Sequence, residues 1–193
     1  LLYHEFDALI PILIVEDKDE LLKKEILENK YLKINSEASR IRVITEMRKR
    51  SKSLTSEFIG LYANSIEPEK KLLLFYLMLK VYPLVFTFHF DVTIENWRKG
   101  ISSIDPYQYQ MKLDEVSTTN DFVDSWSEST KTKVITVYIR MLRETGIVKN
   151  DTLTPIQTQD QFWGFFLNND AKWFLDACLL SNETKKRLQN YCL

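Results

Sequence analysis

The most constraining feature of the sequence is an apolar run over residues 72–88, which reads LLLFYLMLKVYPLVFTF. Such a run must be buried, either in a bilayer or in a protein core. It is shorter than the roughly 20 residues of a spanning helix, and Lys80 at its middle would cost on the order of 3 kcal/mol in a membrane. Pro83 adds a break. The run therefore predicts a core helix, with Pro68 in its first turn and no membrane as partner.

The scarcity of chain-breaking residues sets the fold class. Four glycines and five prolines in 193 residues favour long helices over a many-turned β architecture. We predict a mainly α, multi-helix protein of two lobes, residues 1–100 and 101–193. The stretch from Gly100 through Asp105-Pro106 to Asn120 is interpreted as loop and boundary material between them.

The N-terminal lobe is expected to contain consecutive amphipathic helices. Residues 16–33 set a charged face against leucines and isoleucines. Ser36 is a candidate N-cap for the next helix, which places Ile41, Ile44 and Met47 on one stripe. Another helix is predicted through Phe58, Ile59, Leu61 and Tyr62.

The segment from residue 126 to 156 carries a more specific pattern. A helix is predicted up to about Thr145, where Gly146 ends it. Two short apolar runs flanking Lys149-Asn150-Asp151-Thr152 then indicate a hairpin. Helix, glycine stop and hairpin, in that order, are how a winged helix ends. The later aromatic residues are interpreted as core rather than as a base-stacking platform: Phe162, Trp163, Phe165, Phe166, Trp173 and Phe174.

The sequence offers few parts for catalysis. Its four glycines are isolated, so no phosphate-binding loop can be assembled. Neither His4 nor His89 has a metal-binding context, and a hydrogen-bonded, partly buried role is expected for His89. Cys178 and Cys192 are interpreted as reduced thiols in a cytoplasmic compartment. We therefore predict a protein that is not an enzyme and that uses no cofactor, metal or small-molecule substrate, although carboxylate pairs between distant segments remain open.

Positive charge is concentrated in two segments of a chain whose net charge is −1. Residues 36–56 hold six basic and two acidic side chains, a local charge of +4. Residues 124–149 hold five basic and three acidic ones, a local charge of +2. Such segregation favours a polyanionic partner, because a local positive field releases counterions from phosphates.

The helix over residues 129–145 sorts its side chains into two faces at 100° per residue. One face is apolar: Val134, Val137, Tyr138, Met141 and Leu142. The other carries hydroxyl groups and long cations: Ser129, Thr132, Lys133, Thr136, Arg140 and Arg143. The polar face suits a helix lying along a DNA groove, where hydroxyls bind phosphates and cations reach phosphates or guanine edges. An ordinary solvated helix face explains the same pattern.

The first basic segment is less regular. Arg42, Lys49, Arg50 and Lys52 are candidate DNA contacts, and the first three are expected opposite the stripe of Ile41, Ile44 and Met47. Arg40 and Arg48 lie nearer the apolar boundary, which indicates packing or salt bridges. Functionally, we expect the cations of both segments to converge on one exposed side of the fold.

At these residues the sequence resembles the BrxA family of bacteriophage exclusion (BREX) systems, long labelled inner membrane proteins. The most specific likeness is Trp126-Ser127-Glu128-Ser129-Thr130, followed by Arg140, Leu142, Glu144 and Gly146-Ile147-Val148. A second is Glu28-Asn29-Lys30-Tyr31-Leu32 with Ser36, Ser39-Arg40 and the basic run that ends at Arg50. A third is the helix from Leu72 to Phe88 with Lys80-Val81-Tyr82. The likeness covers roughly residues 26–156.

The resemblance implies an all-helical protein with helix-turn-helix-like elements that binds double-stranded DNA without catalysis, together with other BREX subunits. The slightly acidic chain then predicts weak, salt-sensitive binding or dependence on a partner subunit. One alternative is a protein–protein adaptor that makes no DNA contact, which exposure of Trp163 or Trp173 in an apolar patch would favour. A second is an RNA-binding helical module.

Overall fold

The computed structural model describes residues 1–191 and confirms the mainly α fold class. Within this described range the β structure comprises one two-stranded antiparallel hairpin and an isolated bridge. Contacts group residues Leu1–Ser65 into one compact unit and the chain from Ile66 onward into a second. This division differs from the boundary proposed at residues 100 and 101, because the helical segment before residue 100 packs against the helix after it. Cys192 lies outside the described residues.

The first unit consists of four consecutive helices, and side-chain caps start the last two of them. They are α1 (Tyr3–Leu13), α2 (Lys18–Glu28), α3 (Glu37–Ser51) and α4 (Ser56–Asn64). Ser36 caps α3 as predicted, since its Oγ accepts the N–H of Ser39 at 3.3 Å. Thr55 caps α4 in the same way through the N–H of Phe58.

Each helix of this unit buries apolar side chains. The largest buried ones are Phe6, Leu9, Leu22, Ile44, Met47, Phe58 and Tyr62. Ile44 and Met47 therefore confirm the predicted apolar stripe of α3. Ile41 was wrongly assigned to that stripe, since it is 43% exposed; helical spacing alone cannot locate the edge of a buried face.

The loop after α2 is held by the buried carboxylate of Glu25. Its two oxygens accept the backbone N–H groups of Lys30, Tyr31 and Leu32 at 3.1, 2.9 and 2.8 Å. Three charge-assisted bonds compensate for the burial of the carboxylate. They explain the fixed path of the segment that carries the second likeness described above.

Arg40 holds the carbonyl groups around the same loop. Its guanidinium donates to the carbonyl oxygens of Ile26 and Ile34, each at 2.6 Å, and of Asn35 at 3.0 Å. The expected packing role of Arg40 is thereby confirmed. Arg48 is also confirmed as an ion-pair residue, because its Nε lies 3.2 Å from Asp19 Oδ1.

The second unit begins with the apolar run, which is buried but bent. Helix α5 (Glu67–Val81) buries every side chain from Leu72 to Leu79 and has Pro68 in its first turn, as predicted. Pro83 starts a new helix, α6 (Pro83–Thr87), which continues through a π-helical segment (Phe88–Ile94) into α7 (Glu95–Arg98). The two parts are bent by 110°. Of the described helices, none is by itself long and apolar enough to cross a membrane, whereas this bent pair meets the length and composition required.

The stretch predicted as a loop between the lobes is largely helical, so that prediction was wrong. Helix α8 (Pro106–Ser117) begins at Asp105, whose Oδ1 accepts the N–H of Tyr107 at 3.0 Å. The Asp-Pro pair was interpreted as a turn, although the same pair also suits the N-cap and first position of a helix. A short helix α9 (Asp121–Asp124) follows.

The rest of the unit contains the predicted helix, hairpin and aromatic core. The elements are α10 (Glu128–Glu144), β1 (Val148–Lys149), β2 (Thr152–Leu153), α11 (Asp160–Asn168), α12 (Trp173–Ala177) and α13 (Asn182–Tyr191). The rings of Phe165, Phe166, Trp173 and Phe174 surround that of Tyr76, with centroids 5.2–6.2 Å away. The interpretation of these aromatics as core is confirmed.

A buried chain of hydrogen bonds connects α10 to the π-helical segment. Tyr138 OH lies 2.9 Å from His89 Nδ1 and 2.7 Å from Thr93 Oγ1, which in turn lies 2.9 Å from Tyr109 OH. The other ring nitrogen of His89, Nε2, lies 2.8 Å from the carbonyl oxygen of Ala177. The predicted buried, hydrogen-bonded role of His89 is confirmed.

The direction of these bonds fixes the neutral tautomer of His89. A carbonyl oxygen only accepts, so Nε2 carries the proton and Nδ1 accepts the hydroxyl proton of Tyr138. Burial lowers the pKa of His89 to about 4 and raises that of Tyr109 to about 12. The network therefore stays uncharged near neutral pH and anchors the inner side of α10.

Candidate nucleic-acid interface

The C-terminal end of α10 was predicted from the sequence, whereas its N-terminal cap was not. Ser127 Oγ accepts the N–H of Thr130 at 3.3 Å and starts the helix. Gly146 follows the C-cap residue Thr145 and adopts a φ of +78°, a left-handed conformation that favours glycine, and this confirms the predicted stop. The Ser127 cap and the Gly146 stop thus set the bounds of α10, between the loop after α9 and the hairpin.

The inner face of α10 agrees with the helical-wheel prediction in part. Tyr138, Met141 and Leu142 are buried as expected. Val137 was wrongly placed on the buried face, since it is 42% exposed, and Val134 is half-buried. Lys131 had been counted as an available base, but it is buried and lies 3.4 Å from Glu128 Oε1.

The outer face of α10 is exposed at every position predicted. Its members are Ser129, Thr132, Lys133, Thr136, Arg140 and Arg143. Lys133 forms no ion pair within residues 1–191. Arg140 Nε lies 3.5 Å from Glu144 Oε1, and Arg143 lies 2.8 Å from Asp151 Oδ1 on the hairpin. We call this set of six side chains the α10 outer face.

The hairpin next to α10 is extended by the segment before α8. Val148 pairs with Leu153 and Lys149 with Thr152, while Ser103 forms a further antiparallel bridge to Thr152. Asn150 and Asp151 have φ values of 49° and 56°, as a type I′ turn requires. Helix α8 packs against α10. In chain order this region contains the extended segment at Ser103, α8, the short helix α9, α10 and the hairpin.

A groove lies between the start of α8 and the middle of α10. Its volume is about 400 Å³. Thr132, Thr136 and Arg143 of the α10 outer face line it together with Tyr107 and Gln110 of α8. The outer face therefore continues into a concave surface with both hydroxyl and apolar walls.

The candidate contacts of the first unit divide into exposed and buried residues. Arg42, Lys49 and Lys52 are exposed. Arg50 is only 3% exposed, so the placement of this side chain on an outer face was wrong. Its guanidinium lies 2.7 Å from Glu46 Oε1 and donates to the carbonyl oxygen of Leu1 at 2.6 Å. The spacing of Glu46 and Arg50, four residues apart on a helix, was the available signal for this ion pair.

The aromatic residues named for the adaptor alternative do not form an exposed patch. Trp163 is buried, and Trp173 is half-buried among aromatic rings. Exposed apolar side chains occur elsewhere in this unit, at Tyr107, Met111 and Phe122. Phe122 is 72% exposed and packs edge-on against Trp126. The exposure of Tyr107 and Met111 was not predicted, since α8 had been interpreted as a loop.

The side chains considered for catalysis or metal binding are either buried or far from one another. Burial raises the pKa of the Cys178 thiol well above its usual value. Among the residues that the structure describes, His, Cys, Asp and Glu side chains form no group suited to holding a metal ion.

The fold and the exposed helix define a class: a mainly α protein with a hydroxyl- and cation-bearing helix next to a two-stranded hairpin. The family model BrxA matches residues 1–161 of the chain. The chain belongs to the BrxA family and is therefore a component of a BREX phage-defence system. No curated protein matches it.

Proposed function

We propose that the chain is a non-enzymatic, cytoplasmic protein that binds double-stranded DNA and acts with other BREX subunits. The α10 outer face is the main contact in this proposal, and the adjacent hairpin is a second one. The observation that carries it is the exposure of six hydroxyl and cationic side chains on one side of a capped helix. The BrxA family is not known as a catalytic family, which supports a binding role.

The dimensions and chemistry of α10 suit a DNA groove. A helix of 17 residues is about 25 Å long, and an α-helix fits the major groove. Ser129, near the helix N-terminus, can donate its hydroxyl to a phosphate there. Lys133, Arg140 and Arg143 can follow the backbone farther along, because long cations reach several phosphate positions.

The ion pairs on this face are compatible with phosphate binding. The side chains of Arg140 and Arg143 remain 63% and 55% exposed in their pairs. Exposed pairs of this kind contribute at most about 1 kcal/mol. A duplex can therefore replace either carboxylate at small cost.

Arg42, Lys49 and Lys52 supply a second basic surface on α3 in this proposal. Their contacts would be with the backbone, which carries no sequence information. Because the chain has a net charge of −1, we expect weak binding that decreases steeply with salt.

A mobility-shift titration tests the proposal. We expect the parent protein to shift duplexes of unrelated sequence at low salt. The combined Lys133→Ala, Arg140→Ala and Arg143→Ala variant should bind all of them at least about tenfold more weakly. A matched control, Lys99→Ala, Lys172→Ala and Lys186→Ala, removes three exposed cations elsewhere and should bind like the parent. Equal binding by both triple variants would contradict the assignment of α10, and single-stranded RNA as competitor distinguishes an RNA-binding module.

The exposed apolar surface favours one alternative, an adaptor that assembles BREX subunits without touching DNA. Tyr107, Met111 and Phe122 are each more than half exposed. Tyr107 and Met111 are four residues apart on α8 and so lie on one helix face, and neighbouring exposed apolar groups mark protein–protein contacts. If the protein is an adaptor, it should not bind a duplex at low salt. It should co-purify with BREX subunits, and Phe122→Ser should weaken that co-purification.

A further inference from the structure

The tip of the hairpin places a carboxylate on the α10 outer face. Arg143 Nη2 donates to Asp151 Oδ1 at 2.8 Å, and the two side chains are 55% and 75% exposed. The pair joins the helix to the hairpin across eight residues of sequence. It therefore occupies one of the three exposed cations of the α10 outer face.

The turn itself does not require a carboxylate at this position. Residues with positive φ in a type I′ turn are commonly Asn, Asp or Gly, so an asparagine would serve the backbone of Asp151 equally well. The carbonyl oxygen of Asp151 accepts the N–H of Ile104 at 3.3 Å, which fixes the tip through main-chain atoms. The acidic side chain is thus free to have a role apart from folding.

We propose that Asp151 restrains DNA binding by holding Arg143 in an ion pair. This inference deepens the proposed DNA-binding function and depends on it. In the free protein Arg143 is paired with Asp151, and a duplex must displace the carboxylate before it gains that cation. The protein consequently binds DNA more weakly than it would without the carboxylate of Asp151. Its binding also depends more on closely spaced phosphate groups.

A double-mutant cycle tests the restraint. The proteins are the parent, Asp151→Asn, Arg143→Ala and the combination of both, titrated with one duplex at one low salt concentration. Asn keeps the turn and the side-chain volume while removing the charge. Asp151→Asn should bind about three- to fivefold more tightly than the parent, the factor expected for releasing an exposed ion pair. In the Arg143→Ala background the same substitution should have almost no effect.

Asp124→Asn is the matched control. Asp124 is exposed close to the start of α10 and forms no ion pair in the part of the chain that the structure describes. The substitution Asp124→Asn removes one negative charge, as Asp151→Asn does, but releases no arginine. Its effect on DNA binding should therefore be clearly smaller than that of Asp151→Asn.

The possible outcomes distinguish the restraint by Asp151 from the proposed DNA-binding function. Tighter binding by Asp151→Asn that disappears without Arg143 supports the restraint. Equal gains with and without Arg143 overturn it in favour of long-range charge repulsion, and weaker binding overturns it in favour of Asp151 positioning Arg143 for DNA. If none of the four proteins binds, the proposed function fails together with the restraint.

Discussion

Acid should destabilise the fold through His89, because this histidine is buried in its neutral form. Its pKa is about 4 in the folded protein, against about 6.5 in an unfolded chain. The unfolded state therefore binds more protons between these values, and stability is lost as the pH falls from 6.5 through 4. The full difference of about 2.5 pH units corresponds to about 3 kcal/mol, of which about 2 kcal/mol should be lost between pH 7 and 4.5.

Urea denaturation at several pH values measures this loss. The comparison is between the parent and His89→Gln, in which an amide can still donate to the carbonyl of Ala177 but cannot be protonated. The parent should lose about 2 kcal/mol more than the variant between pH 7 and 4.5, since other titrating groups are common to both. His4→Gln, at the exposed second histidine, is the control. If the parent and His89→Gln lose stability in parallel, the buried neutral histidine is refuted.

Three substitutions test structural roles by urea denaturation at neutral pH. Arg40→Ala leaves three carbonyls without their donor and should cost about 2–4 kcal/mol, whereas exposed Arg42→Ala should stay within about 0.5 kcal/mol. Arg50→Ala should lower the free energy of unfolding by about 3 kcal/mol, because it leaves Glu46 without its buried partner. The control Lys52→Ala should leave it unchanged. Equal effects of the two substitutions would show that Arg50 is not buried. Gly146→Ala should cost about 1 kcal/mol through its φ of +78°, since a Cβ there meets no closer atom than Lys149 Cε at 3.6 Å.

Features governed by neighbouring residues were predictable from the sequence. Ser36, Pro68 and Gly146 act within one helical turn, so their roles could be assigned without knowledge of the fold. The hairpin could also be predicted, because its turn and flanking apolar pairs lie within a few residues. Asp105 shows the limit of local signals, since the same residue type begins both turns and helices.

Features that depend on distant partners were not predictable. Helical spacing gave the exposed side of α10 correctly but placed Val137 of that helix on the buried side. In α3 it placed Arg50 on an exposed face, although this side chain is buried. Only three-dimensional packing decides how wide a buried stripe is and which cation accepts an internal partner. The ion pair between Arg143 and Asp151 was likewise hidden, because it depends on the hairpin folding back onto the helix.

The salt dependence of DNA binding measures how many of the candidate cations contact phosphate. Each neutralised phosphate contributes a slope of about −0.9 to log K against log salt, so Lys133, Arg140 and Arg143 alone predict about −2.7. Adding the three exposed cations of α3 doubles this to about −5.4. The α10 triple variant should then retain a slope of about −2.7 if both surfaces bind, and almost none if α10 acts alone. A parent slope near −2.7 that falls to zero in this variant would refute the role proposed for the cations of α3, because they would contribute no phosphate contact.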